Sequence, residues 1–316
     1  MHLTLSKILS PLIILSLVGC GGSDDNDDLT PNPAPDSSTT FSLAVSDAPI
    51  DNAISVMVYF DQVELKGEGD PIVVDVRDED NNPKQIDLLS VQGSDFELIV
   101  DDMDIPTGDY TQLRISVTDD SYIEMDQGTF PLQVPSGELK LDGFTALPNV
   151  AAAYTLEFDL RKSLVDPVGQ QAVFLKPRGV RLVANHEVGV LEGTVSMALI
   201  TDPSCTALPD INAGNAVYLY NEDISDLAML GDDADEPADQ DEVSPFSTAT
   251  VSFDESTQEY QFQMGYIPEG DYTLAFTCQA ELDLPETDEN SEDGFEFLIS
   301  MPVTVMAEQT TSVMVE

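Results

Sequence analysis

The sequence predicts an all-β protein built as two antiparallel β-sandwich domains in tandem. Three observations carry that prediction. From residue 41 to the end, short runs of alternating apolar and polar residues recur between Gly, Pro, Asn and Asp, as half-buried strands and their turns require. No stretch holds a helical period for three turns. One seven-residue turn sequence occurs twice, once in each half, with a single difference between the copies. With 42% hydrophobic residues and a mean hydropathy of −0.08, most of the 316 residues can bury a core.

Residues 1–19 contain one base, Lys7, and no acid, and residues 8–18 form an apolar run too short to span a bilayer. That is the layout of a secretory signal peptide. It ends in Leu17-Val18-Gly19-Cys20, which resembles the bacterial lipobox cut by the lipoprotein signal peptidase. The resemblance implies that Cys20 carries diacylglycerol and that its freed amine takes a further acyl chain. Two or more chains hold a protein stably on a bilayer. Gly21, rather than Asp, follows the cysteine, and by the same resemblance this favours the outer membrane. Residues 20–40 hold the lipidated cysteine and an acidic, proline-containing linker that buries too little to order itself.

The first sandwich is expected over residues 41–187. Its opening strand is 41–45, followed by Ile54, Val56, Val58 and Phe60 on one face. The phase then moves to Val63 and Leu65, as a bulge near Asp61-Gln62 produces. Further strands are expected at 72–76, 96–100, 113–117, 130–134, 154–160 and 180–183, with a single helical turn within 86–91. The second sandwich is expected over 188–316. Leu191, Val195, Met197 and Leu199 share one face of a strand at 191–200. Strands at 217–220, 251–253, 260–264, 272–278, 295–305 and 312–315 follow, with a helical turn within 224–230. Short strands at this spacing build sandwiches or barrels.

The repeated turn is Ile105-Pro106-Thr107-Gly108-Asp109-Tyr110-Thr111, which returns as Ile267-Pro268-Glu269-Gly270-Asp271-Tyr272-Thr273. Proline stops a strand, glycine permits a tight turn, and tyrosine opens the next strand with its ring available to the core. Two explanations stand: a turn that any sandwich can use twice, or two related domains in tandem. Both support two β bodies with a junction near 185–189.

Val45-Ser46-Asp47-Ala48-Pro49, the run 54–65, Ile86-Asp87-Leu88-Leu89, the turn at 105–110 and Leu156-Glu157-Phe158-Asp159-Leu160 resemble DUF4382. That is a family of bacterial envelope domains of uncharacterised function, and the resemblance covers roughly residues 41–183. It implies a lipid-anchored, all-β envelope module and brings no established activity. The second half is similar to the prealbumin-like fold, the transthyretin-like or carboxypeptidase-regulatory-like sandwich. The matching residues are Leu191-Glu192-Gly193-Thr194-Val195, Ala216-Val217-Tyr218-Leu219, the turn at 267–273 and the closing run 310–315. That fold is also grouped with carbohydrate-binding-like folds, but fold likeness does not confer sugar binding. Its sugar-binding relatives usually stack the ligand on exposed tryptophan, and this chain has no tryptophan.

Sixty acids against eleven bases, a formal charge of −49, exclude a nucleic-acid partner, since phosphate must be met by Lys and Arg. Arg181 is the last base, so the second sandwich has no internal counter-charge and must rely on hydration, dissolved cations or bound divalent metal. Its densest acidic runs are 232–242 and 286–293. Clustered carboxylates suit Ca²⁺, and Asp232, Asp233 and Asp235 are the weak candidates for such a site. No run meets the EF-hand template: Asp78, Asp80 and Asn82 begin its spacing, and Pro83 and Leu89 break it. The expectation is therefore solvated acidic loops and no cofactor.

Cys278 shares a strand face with Tyr272, Leu274 and Phe276, and Cys205 follows Pro203. With Cys20 acylated, these are the two thiols left in an exported, oxidising setting, and a disulfide between them is expected. Catalytic parts are missing. His186 is the single histidine beyond the signal, and no nucleophile elbow, Walker loop or dinucleotide fingerprint occurs. The expected function is a non-catalytic, membrane-anchored envelope lipoprotein serving as a structural or interaction module, with an envelope protein or polysaccharide as partner. The alternatives are a carbohydrate-binding or polymer-handling surface lipoprotein and a carboxylate-based hydrolase. An exposed aromatic row would favour the former, and two buried carboxylates facing each other in a cleft the latter.

Overall fold

In β1 (Ser38–Ala48), Phe41, Leu43 and Val45 are fully buried, as alternation requires of a strand with one face on a core. The computed structural model describes residues 38–48, 53–165, 172–206, 209–232, 242–283 and 295–316. The signal peptide and Cys20 lie outside these. Strand β1 starts at Ser38, three residues before the expected start of the sandwich, because Ser38–Thr40 pair with a later strand.

Strand β2 (Ser55–Gly67) slips register between Phe60 and Gln62, at the place where the phase of its apolar residues changes. Strands β3 (Ile72–Asp75), β4 (Lys84–Asp87), β5 (Glu97–Pro106) and β6 (Gly108–Val117) follow. Next are β7 (Tyr122–Met125), β8 (Gly128–Gln133), β9 (Glu138–Ala146) and β10 (Ala152–Asp159). The Asp159 carboxylate then caps the single turn α1 (Leu160–Ser163) by accepting from Lys162 N at 3.2 Å. Strands β11 (Leu164–Val165), β12 (Val173–Leu175) and β13 (Val180–Ala184) complete the first half.

The second half opens with β14 (Val188–Val195). The strand expected at 191–200 ends there, because Leu199 N and Ile200 N turn back onto the Ser196 carbonyl and form α2 (Met197–Ile200). This turn buries Ile200 and leaves Met197 exposed. Helix α3 (Pro203–Thr206), β15 (Ala216–Tyr220), β16 (Ser247–Thr250) and β17 (Ser252–Asp254) come next. Strands β18 (Glu259–Pro268), β19 (Gly270–Thr277), β20 (Ile299–Val305) and β21 (Thr310–Val315) close the chain.

Each half stacks two sheets. In the first, the order β13-β10-β1-β5 faces the larger sheet β11-β12-β8-β7-β2-β6-β9, to which β3 and β4 add beside β2. In the second, β17-β18-β14-β21 faces β16-β15-β19-β20. A common six-strand plan runs through both, taken in chain order. The first strand pairs parallel with the last (β1 with β10, β14 with β21) and antiparallel with the third (β5, β18). The second pairs with the fourth (β2 with β6, β15 with β19), and the fourth with the fifth (β9, β20).

The repeated turn is the corner where the chain leaves one sheet for the other, β5 to β6 and β18 to β19. Its details repeat. Tyr110 donates to Pro106 O at 2.9 Å, and Tyr272 donates to Pro268 O at 2.7 Å. Asp109 accepts from Thr145 Oγ1 at 2.7 Å, and Asp271 from Thr304 Oγ1 at 2.6 Å, across the same register step of the neighbouring strand. The turn recurs because the wiring recurs.

The first core gathers Phe41, Phe60, Leu65, Leu113, Ile115 and Phe158 between its sheets. The second gathers Leu191, Val217, Leu219, Phe262, Leu274 and Phe276, with Cys205 and Cys278 among them. Strand β15 is buried on both faces: Val217 and Leu219 enter that core, while Tyr218 and Tyr220 enter a separate cluster with Ile224 and Phe297. The buried hydroxyls there are satisfied, Tyr218 by Asp283 at 2.6 Å and Tyr220 by Gly231 O at 2.6 Å.

Candidate functional site

Strand β10 has a second buried face. Leu156 and Phe158 enter the core, yet Thr155, Glu157 and Asp159 between them are no more than 3% exposed. The cover comes from the second half of the chain. Arg181 of β13 stacks over the Phe246 ring, 4.1 Å from its centroid. Lys162 Nζ donates to Pro245 O at 3.0 Å, and Arg161 Nη1 donates to Ala280 O at 3.1 Å. The base-free half thus receives cations from the other.

The junction encloses charge. Arg181 donates from Nε at 3.0 Å and from Nη2 at 2.6 Å to Glu157 Oε2. Burial nevertheless outweighs the guanidinium and raises the Glu157 carboxyl to about 7. Asp47, 1% exposed at the end of β1, is held well above the ordinary carboxylate range by burial, with Glu157 and Asp159 adding to it. Asp159 is also raised by burial, against Lys162, Arg181 and Arg161. Three carboxylates are therefore buried close together at the junction. Asp159, Lys162, Arg178 and Arg181 also line a cavity of about 220 Å³ together with Asn221 and Phe246.

A larger cleft, about 750 Å³, opens beside the junction. One wall is Gln92 and Gly93, from the loop between β4 and β5. The other is the outer face of β14, β18 and β21, which presents Glu192, Thr194, Gln261, Gln263 and Ser312. Gln263 Oε1 accepts from Ser94 N and Oγ at 3.3 Å, and Ser312 donates to Glu192 at 2.9 Å. The walls meet where Gly93, at φ +68°, lies against Gly265. A Cβ at residue 265 would run into the Gly93 carbonyl, so glycine is required for this approach.

Residues 38–177 match the family model described as "Domain of unknown function (DUF4382)". That segment is similar to a DUF4382 domain. It contains the first copy of the corner, the acids Asp47, Glu157 and Asp159, the cations Arg161 and Lys162, and the Gln92–Gly93 wall; Arg178 and Arg181 follow its end. No curated protein matches the chain. Among solved structures, the chain is similar to the Bacillus anthracis TIE protein, at 11% identity and a TM-score of 0.19, covering 88% of this chain and 34% of that one. It is similar to a leucine-rich repeat protein from Bacteroides thetaiotaomicron, at 12% identity and a TM-score of 0.21, covering 88% and 26%. The minor pilin GBS52 of Streptococcus agalactiae gives 14% identity and a TM-score of 0.19, covering 87% and 94%. The chain thus spans about a third of the first of these and about a quarter of the second.

Of the residues singled out by sequence, Cys205 and Cys278 are bonded, with Cα atoms 5.6 Å apart, tying α3 to the end of β19. Asp233 and Asp235 lie outside the described residues, and Asp232 is described. Among the described residues, no group of three or more His, Cys, Asp or Glu is placed to hold a metal ion. The broken EF-hand spacing is an Asx turn: Asp78 Oδ1 accepts from Asp80 N and Asn82 N at 2.9 and 2.8 Å. Those bonds, led by the Asn82 side chain, lower the Asp78 carboxyl. His186 sits in the connecting turn, 58% exposed, 3.7 Å from Glu187. Phe96 and Phe253 are the exposed aromatic side chains among the described residues, and they lie in different halves, so they form no row. No described helix is long and apolar enough to cross a membrane.

Sequence reasoning missed the junction. Its signal was present: Arg161, Lys162, Arg178 and Arg181 cluster where the bases of the chain end, and Glu157 and Asp159 alternate with core residues.

Proposed function

We propose that this protein is a non-catalytic envelope lipoprotein, anchored through acylated Cys20, whose two-sandwich body serves as an interaction module. The observation that carries the interaction reading is the cleft of about 750 Å³ built from both halves. Concave sites that gather side chains from separate parts of a chain are where proteins take ligands. The non-catalytic reading draws support from the carboxylates, since Glu157 is held by Arg181, and Asp47 and Asp159 are buried. The anchor rests on Leu17-Val18-Gly19-Cys20, and Gly21 favours the outer membrane. The linker would then hold the body off the bilayer.

A second reading, polymer handling, is favoured by the cleft lining. Side-chain amides and hydroxyls both donate and accept, which suits a polyhydroxylated chain. The acidic body repels anionic polymers, so the ligand on this reading is a neutral polysaccharide.

Two measurements test these readings. Fatty-acid labelling should mark the wild-type protein and be lost in Cys20→Ala; label retained on the variant overturns the anchor. Affinity electrophoresis through gels holding glycogen, galactomannan or dextran should retard the mature chain in at least one, with retardation relieved by Gln261→Ala/Gln263→Ala. Unretarded migration in all three removes the polymer reading.

A further inference from the structure

One wall of the cleft is fastened to a buried acid. Asp47 N donates to Val91 O at 2.9 Å, and Gly93 N donates to Asp47 O at 3.2 Å, so Gln92 and Gly93 are strapped to the end of β1. The same two residues line the cleft. From the far side the loop is held by Ser94 on Gln263 and by Tyr266, whose hydroxyl donates to Ser94 O at 3.4 Å.

Both oxygens of the Asp47 carboxyl under this loop are buried without a hydrogen-bond donor in good geometry among the described residues. An ionised carboxylate so placed is strongly unfavourable, whereas a protonated one is tolerated. Its charged neighbours are acids: Glu157 and Asp159 on β10 and Asp87 at the end of β4. The Gln92 amide is the one group that favours ionisation. The nearby cations are committed elsewhere: Arg181 to Glu157, Lys162 to Pro245 O, Arg161 to Ala280 O and Arg178 to Lys162 O. From β18, Tyr266 faces Thr155, Glu157 and Asp95.

We propose that the cleft is proton-gated: neutral Asp47 holds the 91–95 loop against β18, and loss of its proton frees that loop and moves the cleft wall. An ionised Asp47 must recruit water or a cation, and the strap over it is the segment that gives way. The closed cleft therefore belongs to the acidic side and the open one to the alkaline side. The inference rests on reading the cleft as the interaction site, yet its test needs no ligand, so a failure of polysaccharide binding leaves the gate standing.

The test is hydrogen–deuterium exchange of the mature protein at pH 5, 6.5 and 8, corrected for intrinsic exchange. The loop amides at 93–95 should exchange about tenfold faster at pH 8 than at pH 5, and Asp47→Asn should stay protected throughout. Glu157→Gln, which removes a neighbouring negative charge and covers the case where Asp47→Asn does not fold, should move the opening to lower pH. Equal corrected exchange at all three pH values in the wild type, or an unchanged midpoint in both variants, overturns the gate.

Discussion

Behind the shared corner the two sandwiches are filled differently. In the first, Phe144 stacks on Tyr110 at 4.9 Å and on Phe41 at 5.4 Å, with Tyr154 tilted against it at 4.6 Å. In the second, Tyr272 meets Phe246 at 5.9 Å, and a disulfide ties the far end of its strand to a helical turn. The first half adds strands around its six-strand plan, whereas the second adds two. The first carries ten bases and pairs Asp61, Glu64, Asp75, Glu97, Glu138 and Glu157 with them, while the second carries none and takes Arg161, Lys162 and Arg181 from its neighbour. Wiring and stabilisation are thus separable: alternation and one corner set the path, and rings, a crosslink or borrowed charge hold it.

The largest expected effect tests the crosslink. Closing 73 residues contributes about 4 kcal/mol in the chain-entropy model. Cys205→Ala/Cys278→Ala should lower stability by about that amount in urea unfolding, and reductant should do the same to the wild type. A loss below about 1 kcal/mol would mean that packing alone holds the second half as rings hold the first.

Next comes the buried pair at the junction. Glu157 takes its proton up more readily folded, at about 7, than unfolded, at 4.5. Its contribution is therefore full below about pH 4.5 and is lost as pH rises through about 7, a change on the order of 3 kcal/mol. Glu157→Gln should flatten the stability difference between pH 5 and pH 8 by that order. An unchanged difference would show that Arg181 already stabilises the ionised form.

The smallest effect sharpens the likeness. Tyr110→Phe and Tyr272→Phe each remove one corner hydrogen bond and should cost about 1 kcal/mol apiece. Equal losses in chemical denaturation fit equivalent corners, and a loss confined to one would break the comparison.

Much of the path was legible because alternation and turn chemistry are local. The bulge at Asp61-Gln62, the paired corners and the direction of Cys278 follow from period two and from Pro and Gly at fixed offsets. Strand β9 was hidden because Gly137 and Gly143 bracket Leu139 and Leu141, so its alternation looks like turn. Strand β4 was hidden because Lys84-Gln85-Ile86-Asp87 offers one apolar residue and so no alternation. The parallel pairing of first and last strands was out of reach, since β1 and β10 are joined by register and by no local turn. The site was less legible than the fold. Glu157 and Asp159 look like outward residues of a one-sided strand, and their burial depends on a second sheet that no short window contains.

The central claim is that cations of the first half make the two sandwiches one unit and so build the cleft. Scanning calorimetry of the mature chain at pH 6 tests it directly, before and after Arg161→Ala/Lys162→Ala. The account predicts one transition in the wild type, with calorimetric and van't Hoff enthalpies in agreement, and two separated transitions in the variant. Two transitions in the wild type, or a variant that still melts as one, would contradict it.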